Sequence, residues 1–234
     1  MEGASGEASV ILPIRPGART PRAPRRRRRL AISGWIGIVL AFFASALIVV
    51  SAIDVFGSGP RDLRGLPVHF DPGALPTRSE VQQMHVTSTG GRLTVPAVGL
   101  NVPLDAMNAV GGKVDPPKFT AAYWIRNMGV SPAEADSGTV YVAMHSLRNG
   151  AVGPGNYLID VGNQTARVHN GDKVGLDGVS YTVSGFEVIP KSEIGRRTDL
   201  WSRTPGQLVL ITCLQNGHNT PSKNVIVITA KRSQ

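Results

Sequence analysis

Among the groups able to act as nucleophile or proton carrier, this chain has one thiol, Cys213, and five imidazoles, His69, His85, His145, His169 and His218. A single cysteine forms no intrachain disulfide, and without a CxxC pair or a Cys/His cluster there is no zinc-ligand pattern. A lone thiol is either a small buried hydrophobe or a reactive group, and exposure and a nearby cation decide which. Cys213 directly follows the apolar run Leu208-Val209-Leu210-Ile211-Thr212 and precedes the polar stretch Leu214-Gln215-Asn216-Gly217-His218-Asn219-Thr220-Pro221, the place of a strand-end residue facing a loop. His145 closes a second β-rich run, Tyr141-Val142-Ala143-Met144-His145, before Ser146-Leu147-Arg148-Asn149-Gly150 turns away. The other histidines lack that strand-end position, and His218 stands near Cys213 only through a loop. A thiolate attacking a carbonyl, with an imidazole to protonate the departing amine, supplies both halves of an acyl transfer. The tetrahedral intermediate then needs a donor or cation for its oxyanion, and the first cation after the cysteine is Lys223.

These residues must be positioned by strands. From Arg92 onward short β-rich runs alternate with turn chemistry: Leu93 to Leu104 split by Pro96, Thr139 to Ala143, Lys173 to Leu176, Tyr181 to Val183, Phe186 to Ile189, Leu208 to Thr212 and Val225 to Thr229. Asp177-Gly178 between two of the runs predicts a tight hairpin, because a type I′ turn needs positive φ at both central residues. Seven to eight short strands without a βαβ rhythm predict an all-β sandwich or closed barrel with short helices.

Ahead of this domain the texture differs. Residues 1–29 are rich in Arg, Pro, Gly and Ala and have too little apolar content to fold, so they read as a disordered tail. The chain carries a net charge of +9, and eight arginines against Glu2 and Glu7 place +6 of it in that tail. The folded part has no basic block interleaved with aromatics, which removes a nucleic-acid platform from consideration. Residues 30–53 form an uncharged run of 24, long enough as a helix at ~1.5 Å per residue for a bilayer core of roughly 30 Å. Arg25 to Arg29 before it and Asp54 after it predict one pass with the amino terminus in the cytoplasm and the remainder outside. A cleaved signal is the competing reading, with Ala44-Ser45-Ala46 as its small-residue triplet, but the apolar run continues past it through Val50. Residues 54–91 carry Gly57-Ser58-Gly59-Pro60, Asp71-Pro72-Gly73 and Ser88-Thr89-Gly90-Gly91 without a sustained period, which predicts a spacer with one short helix near Glu80 to Met84. Residues 92–234 are the folded domain.

In these residues the chain resembles the sortases: an apolar strand ending in Thr212-Cys213, a loop, a cation opening the last strand, and a histidine ending an earlier strand 68 residues upstream. The entry Val95-Pro96-Ala97-Val98-Gly99-Leu100-Asn101-Val102-Pro103-Leu104 is similar to the family's first strands. Val114-Asp115-Pro116-Pro117 and Trp124 resemble the actinobacterial class E and F enzymes. The resemblance spans most of residues 92 to 232 and implies a closed β-barrel holding a membrane-anchored cysteine transpeptidase. It implies Cys213 as nucleophile, His145 as proton carrier and Lys223 as oxyanion cation. An LPxTG-like sorting signal would be cut between Thr and Gly, and the acyl group passed to an amine of a peptidoglycan precursor or a pilin, with no metal or organic cofactor.

Two departures stand out. The family carries arginine where this chain has Ser222-Lys223-Asn224, and a lysine point charge does not reproduce arginine's planar fork. Arg148, Arg196, Arg197 and Arg232 are the alternative cations. Met144 precedes His145 where many relatives have glycine, an expected narrowing of the site. Two other functions stay open at this level: another exported Cys/His peptidoglycan transpeptidase, and a tethered β-domain that binds a wall component or protein partner with little or no catalysis.

Overall fold

The computed structural model describes residues 59–68, 76–218 and 220–233. The tail predicted at 1–29 and the membrane helix predicted at 30–53 lie outside the described residues, and among those described no helix is long and apolar enough to cross a membrane.

Along the strand that ends in Cys213, side chains alternate between two apolar environments. Leu208, Leu210 and Leu214 belong to one cluster, Val209 and Ile211 to another. The same alternation recurs on the neighbouring strands, with Val140 and Val142 against Tyr141 and Ala143, and Ile226 and Ile228 against Val225 and Val227. Period-2 alternation with both faces apolar means that this part of the sheet is covered on both sides. The first cluster fills the inside of a barrel. The second lies on its outside, under Met84, Ile194, Leu200 and Trp201. Burying a leucine such as Leu208 or Leu210 fully contributes about 1.5–3 kcal/mol, so these double-faced strands are the firmest part of the scaffold.

Among the described residues ten strands follow in chain order: β1 Thr87–Val95, β2 Leu100–Met107, β3 Ala122–Ile125, β4 Thr139–Ala143, β5 Ile159–Asp160, β6 Thr165–Ala166, β7 Lys173–Leu176, β8 Val179–Pro190, β9 Gln207–Leu214 and β10 Asn224–Arg232. Eight of them close a barrel in the order β1-β2-β3-β4-β9-β10-β8-β7, with β7 pairing back onto β1, while β5 and β6 form a small separate hairpin. The all-β expectation therefore resolves to the closed barrel rather than the sandwich. The β2–β3 and β4–β9 pairs are parallel and the other barrel pairs antiparallel. The β7–β8 hairpin turns through Asp177 at φ 50° and Gly178 at φ 81°, the turn expected of that dipeptide.

The sequence reading and the structure differ at the front of the domain. The first strand begins at Thr87, inside the stretch read as spacer, and runs through a bulge between Ser88 and Gly91 with Gly90 at φ 74°. Glycines that read as a linker are here the device that lets the strand bend. The short helix is present as α1, Arg78–Gln83, held by a capping box in which the Thr77 hydroxyl accepts from Glu80 N and the Glu80 carboxylate accepts from Thr77 N. The α1 C-cap, Met84, is buried in the outer cluster.

Residues 60–68 are also packed against the domain. The Asp62 side chain is wholly covered and accepts hydrogen bonds from Arg64 N and Leu66 N at 2.9 and 2.8 Å and from Val152 N at 3.0 Å. Leu63 N donates to Val152 O at 2.9 Å, and its side chain packs on the inner cluster. Burial pushes the Asp62 carboxyl up, but the three backbone N–H donors together hold it below the usual aspartate value. A carboxyl with a depressed folded value stabilises this clasp above its unfolded value and loses that contribution as pH falls through the folded one. We expect Asp62→Ala to abolish hydrogen-exchange protection of the Leu66 and Val152 amides at neutral pH. In the wild type the same protection should disappear only on acidification below the normal aspartate range; protection retained by the alanine variant at pH 7 would contradict this role.

Candidate active site

β4 and β9 run parallel, with Ala143 opposite Ile211, and Met144 N continues the ladder by donating to Ile211 O at 3.1 Å. Two residues further along each chain stand His145 and Cys213. They are in matched positions on adjacent strand ends, on the outer face that Ala143 and Ile211 already occupy. Antiparallel β10 adds Val225 directly beside Cys213, and β8 adds Ile189 beside Val225. The row Cys213, Val225, Ile189 belongs to one register, fixed by three strands rather than by a mobile loop.

Buried polar groups stitch the two strand ends together. The Ser146 hydroxyl donates to Cys213 O. Gln215 Nε2 donates to Ser146 O at 2.8 Å and to Ser146 Oγ at 3.1 Å. The loop leaving β4 folds back beneath: Gly155 N donates to His145 O at 2.8 Å, and Asn156 accepts from Leu147 N and Gly153 N at 2.7 and 2.8 Å. Buried, satisfied polar contacts of this kind fix one arrangement, because leaving any member unpaired costs about 1–3 kcal/mol.

His145 and Cys213 line one cleft of about 790 Å³. Its walls are mainly apolar, with Val114, Pro116, Met128, Ile194, Trp201 and Val225, and its charged groups are Lys113, Asp115 and Lys191. One wall is the 191–206 loop, held in place by Tyr141 Oη donating to Leu200 O and Ser202 O at 2.9 and 3.1 Å and by Trp201 Nε1 donating to Ile194 O at 2.8 Å. The opposite wall is the β2–β3 loop, whose Pro116 carbonyl lies 2.6 Å from His145 Nε2, with Asp115 Oδ1 at 3.9 Å and the Phe119 ring 4.9 Å from the imidazole.

That contact fixes the tautomer. A carbonyl only accepts, so Nε2 carries the proton and Nδ1 is the atom with a free lone pair. Burial pushes the imidazole below its ordinary 6.5, opposed by the Pro116 carbonyl and the Asp115 carboxylate and reinforced by Lys191. Burial likewise raises Asp115. His145 is therefore neutral at pH 7 and able to take up a proton. Its neutral burial contributes stability that is fully present above 6.5 and is lost as pH falls through the window below it. Removing the neighbouring carboxylate should lower the histidine further. In ring-proton NMR of the full chain we expect the His145 midpoint to lie below 6.5, and Asp115→Asn to move it down again; a midpoint above 6.5 would overturn this assignment.

No protein-family model matches the chain, and no curated protein sequence does either. Among solved structures the chain is similar to sortase A of Listeria monocytogenes, at 19% identity and a TM-score of 0.44 over 63% of this chain and 89% of that one. It is similar to sortase C-1 of Actinomyces oris at 16% identity and a TM-score of 0.46, covering 82% and 98% of the two chains. For a pilus-related sortase C of Group B Streptococcus the figures are 13% identity, a TM-score of 0.47, and 82% and 89% coverage.

Of the residues singled out from the sequence, His145 and Cys213 come together in the cleft, and Lys223 does not border it. Lys223 is exposed one residue before β10. The alternative arginines are also placed elsewhere. Arg197 is held by Glu187 and Asp199, and Arg232, at the far end of β10, pairs with Asp136. Arg196 and Arg148 are not among the cleft-lining residues, and Arg148 has an interaction of its own. His85, His169 and His218 are exposed away from the cleft walls, and His69 is outside the described residues. Met144 turns into the inner cluster, 3% exposed, so its bulk is spent on the core while it borders the cleft from behind His145. Lys191, Asp115, Ser146 and Gln215 were not legible as site residues. Only Lys191 had a usable signal: two residues beyond Ile189, it falls on the cleft face once Ile189 is set beside Val225.

Proposed function

We propose that the chain is a sortase-type cysteine transpeptidase whose acyl-transfer pair is Cys213 and His145. The observation that carries the reading is the pairing of β4 with β9, which sets the sole thiol and a neutral, half-buried imidazole side by side at the mouth of a largely apolar cleft. In the reaction His145 Nδ1 takes the thiol proton, and the Cys213 sulfur bonds to the carbonyl carbon of a peptide, driving the π electrons onto oxygen. On collapse the C–N bond breaks and the leaving amine receives the proton from His145. An incoming amine reverses the steps and releases the transferred acyl group. The apolar walls with few charges favour a segment such as the Leu-Pro of an LPxTG-like signal, the substrate class that the sequence resemblance implies, with a peptidoglycan or pilin amine as acceptor. The uncharged run at 30–53 behind its arginine cluster supports the accompanying proposal that the enzyme is tethered to the outer face of a membrane.

The test is product identity. The purified full chain is incubated with an LPxTG-like peptide, with and without a glycine-based or lysine-bearing amine. A product joined through threonine to the added amine supports transpeptidation; cleavage that ignores every amine supports a hydrolase; no cleavage of any sorting peptide would remove the proposal.

A further inference from the structure

The oxyanion of the proposed acyl transfer requires a cation or donor, and the position that the sequence resemblance points to, Lys223, is exposed and outside the cleft. The barrel brings another lysine there. The β8–β10 ladder pairs Ile189 with Val225 and Pro190 with Asn224, and it extends by one more bond, Lys191 N to Lys223 O at 2.9 Å. Alternation along β8 then puts Lys191 on the face of Ile189, the face shared with Val225 and Cys213. Lys191 lines the same cleft as Cys213 and His145, and no ion pair of Lys191 is found among the described residues. It is near enough to act electrostatically on the His145 imidazole and the Asp115 carboxylate. The remaining lysine of the cleft, Lys113, comes from the β2–β3 loop on the Asp115 side and acts on that carboxylate.

We propose that Lys191, not Lys223, is the cation that stabilises the oxyanion when Cys213 is acylated. The inference rests on the transpeptidase reading. The ammonium group, on a four-carbon stem anchored by the β8–β10 ladder, donates an N–H to the oxygen that gains the electron pair as the C–S bond forms, and releases it when the carbonyl re-forms and the amine leaves. Lysine supplies the point charge here without the bidentate fork of arginine.

Two measurements on the full chain separate this inference from the reading beneath it. The first needs no substrate: Cys213, the sole cysteine, is alkylated with anionic iodoacetate and with neutral iodoacetamide. A cation facing the thiol raises the ratio of the two rates, so Lys191→Met should lower the ratio several-fold, while Lys191→Arg and Lys223→Met leave it at the wild-type value. The second is thioacyl formation with an LPxTG-like peptide, where Lys191→Met should slow the reaction by about 10²–10³, the usual effect of removing one oxyanion donor, and Lys191→Arg should recover most of it. Loss in Lys223→Met, with Lys191→Met retained, overturns the inference, and so does equal loss in both. If the wild type acylates with no peptide, the transpeptidase reading fails. The alkylation ratio then decides on its own whether Lys191 faces the thiol.

Discussion

Cys213→Ala is expected to eliminate thioacyl formation entirely, and His145→Ala to leave it slower by about 10²–10⁴, the range for removing a positioned acid–base group. The first expectation follows from composition: with one cysteine in the chain, no second thiol can substitute. The second follows from protonation. A neutral imidazole with its Nε2–H held by the Pro116 carbonyl has one vacant nitrogen, and among the described residues that line the cleft it is the one imidazole. Asp115, though raised by burial, is 3.9 Å from the far nitrogen and serves the ring rather than the sulfur. Peptide acylation followed by quenched-flow mass spectrometry measures both. His145→Ala at the wild-type rate would show that the proton travels by another route.

Gly155→Ala is expected to damage the site without touching it. A methyl group at residue 155 would run into Thr212 Oγ1 and lie 2.8 Å from Thr212 Cβ and 3.0 Å from His145 O, so it wedges between the side chain of the residue before Cys213 and the backbone of His145. Thr212 and the Gly155 segment are buried, and neither contact is the far end of a flexible chain. Overpacking of this kind costs about 1–3 kcal/mol of stability, and displacement of reacting groups by about 1 Å costs up to 10²-fold in rate. Because β4 and β9 belong to the doubly covered part of the barrel, the loss should appear mainly as rate with a modest fall in thermal midpoint. Thermal unfolding and acylation kinetics on the same preparation test it. A variant that keeps full activity would show that the loop yields freely. Gly153→Ala gives a parallel case, its methyl meeting His145 O at 2.6 Å.

What the sequence made legible was local. The apolar run into Cys213, the run into His145 and the Asp177-Gly178 hairpin each state their structure within a few residues, and each is observed. Where the sequence misled, non-local pairing had overridden a local signal. Tyr181 to Val183 and Phe186 to Ile189 read as separate runs because Ser184-Gly185 looks like a break. In the structure they are one strand, β8, which bulges against β10 between Thr229 and Ala230, and the Ser184 hydroxyl donates to Thr229 O. Strand β3, Ala122 to Ile125, is too short to show a period and owes its conformation to β2 and β4 on either side. Gly153 and Gly155 carry no signal of their own in the sequence, because what makes glycine necessary there is contact with the folded-back His145 backbone and, for Gly155, with the Thr212 side chain on another strand. The cleft lysine was hidden for the same reason: Lys223 is the first cation after Cys213 in sequence, but the register of β8 on β10 puts Lys191, and not Lys223, among the cleft-lining residues.

The most direct test of the pairing of Cys213 with His145 is the intact mass of the full chain after brief exposure to an LPxTG-like peptide. The account predicts a mass gain equal to the peptide through its threonine, located on Cys213, absent in Cys213→Ala and strongly slowed in His145→Ala. A thiol that alkylates readily but never acquires that mass, whatever sorting peptide is offered, would contradict it.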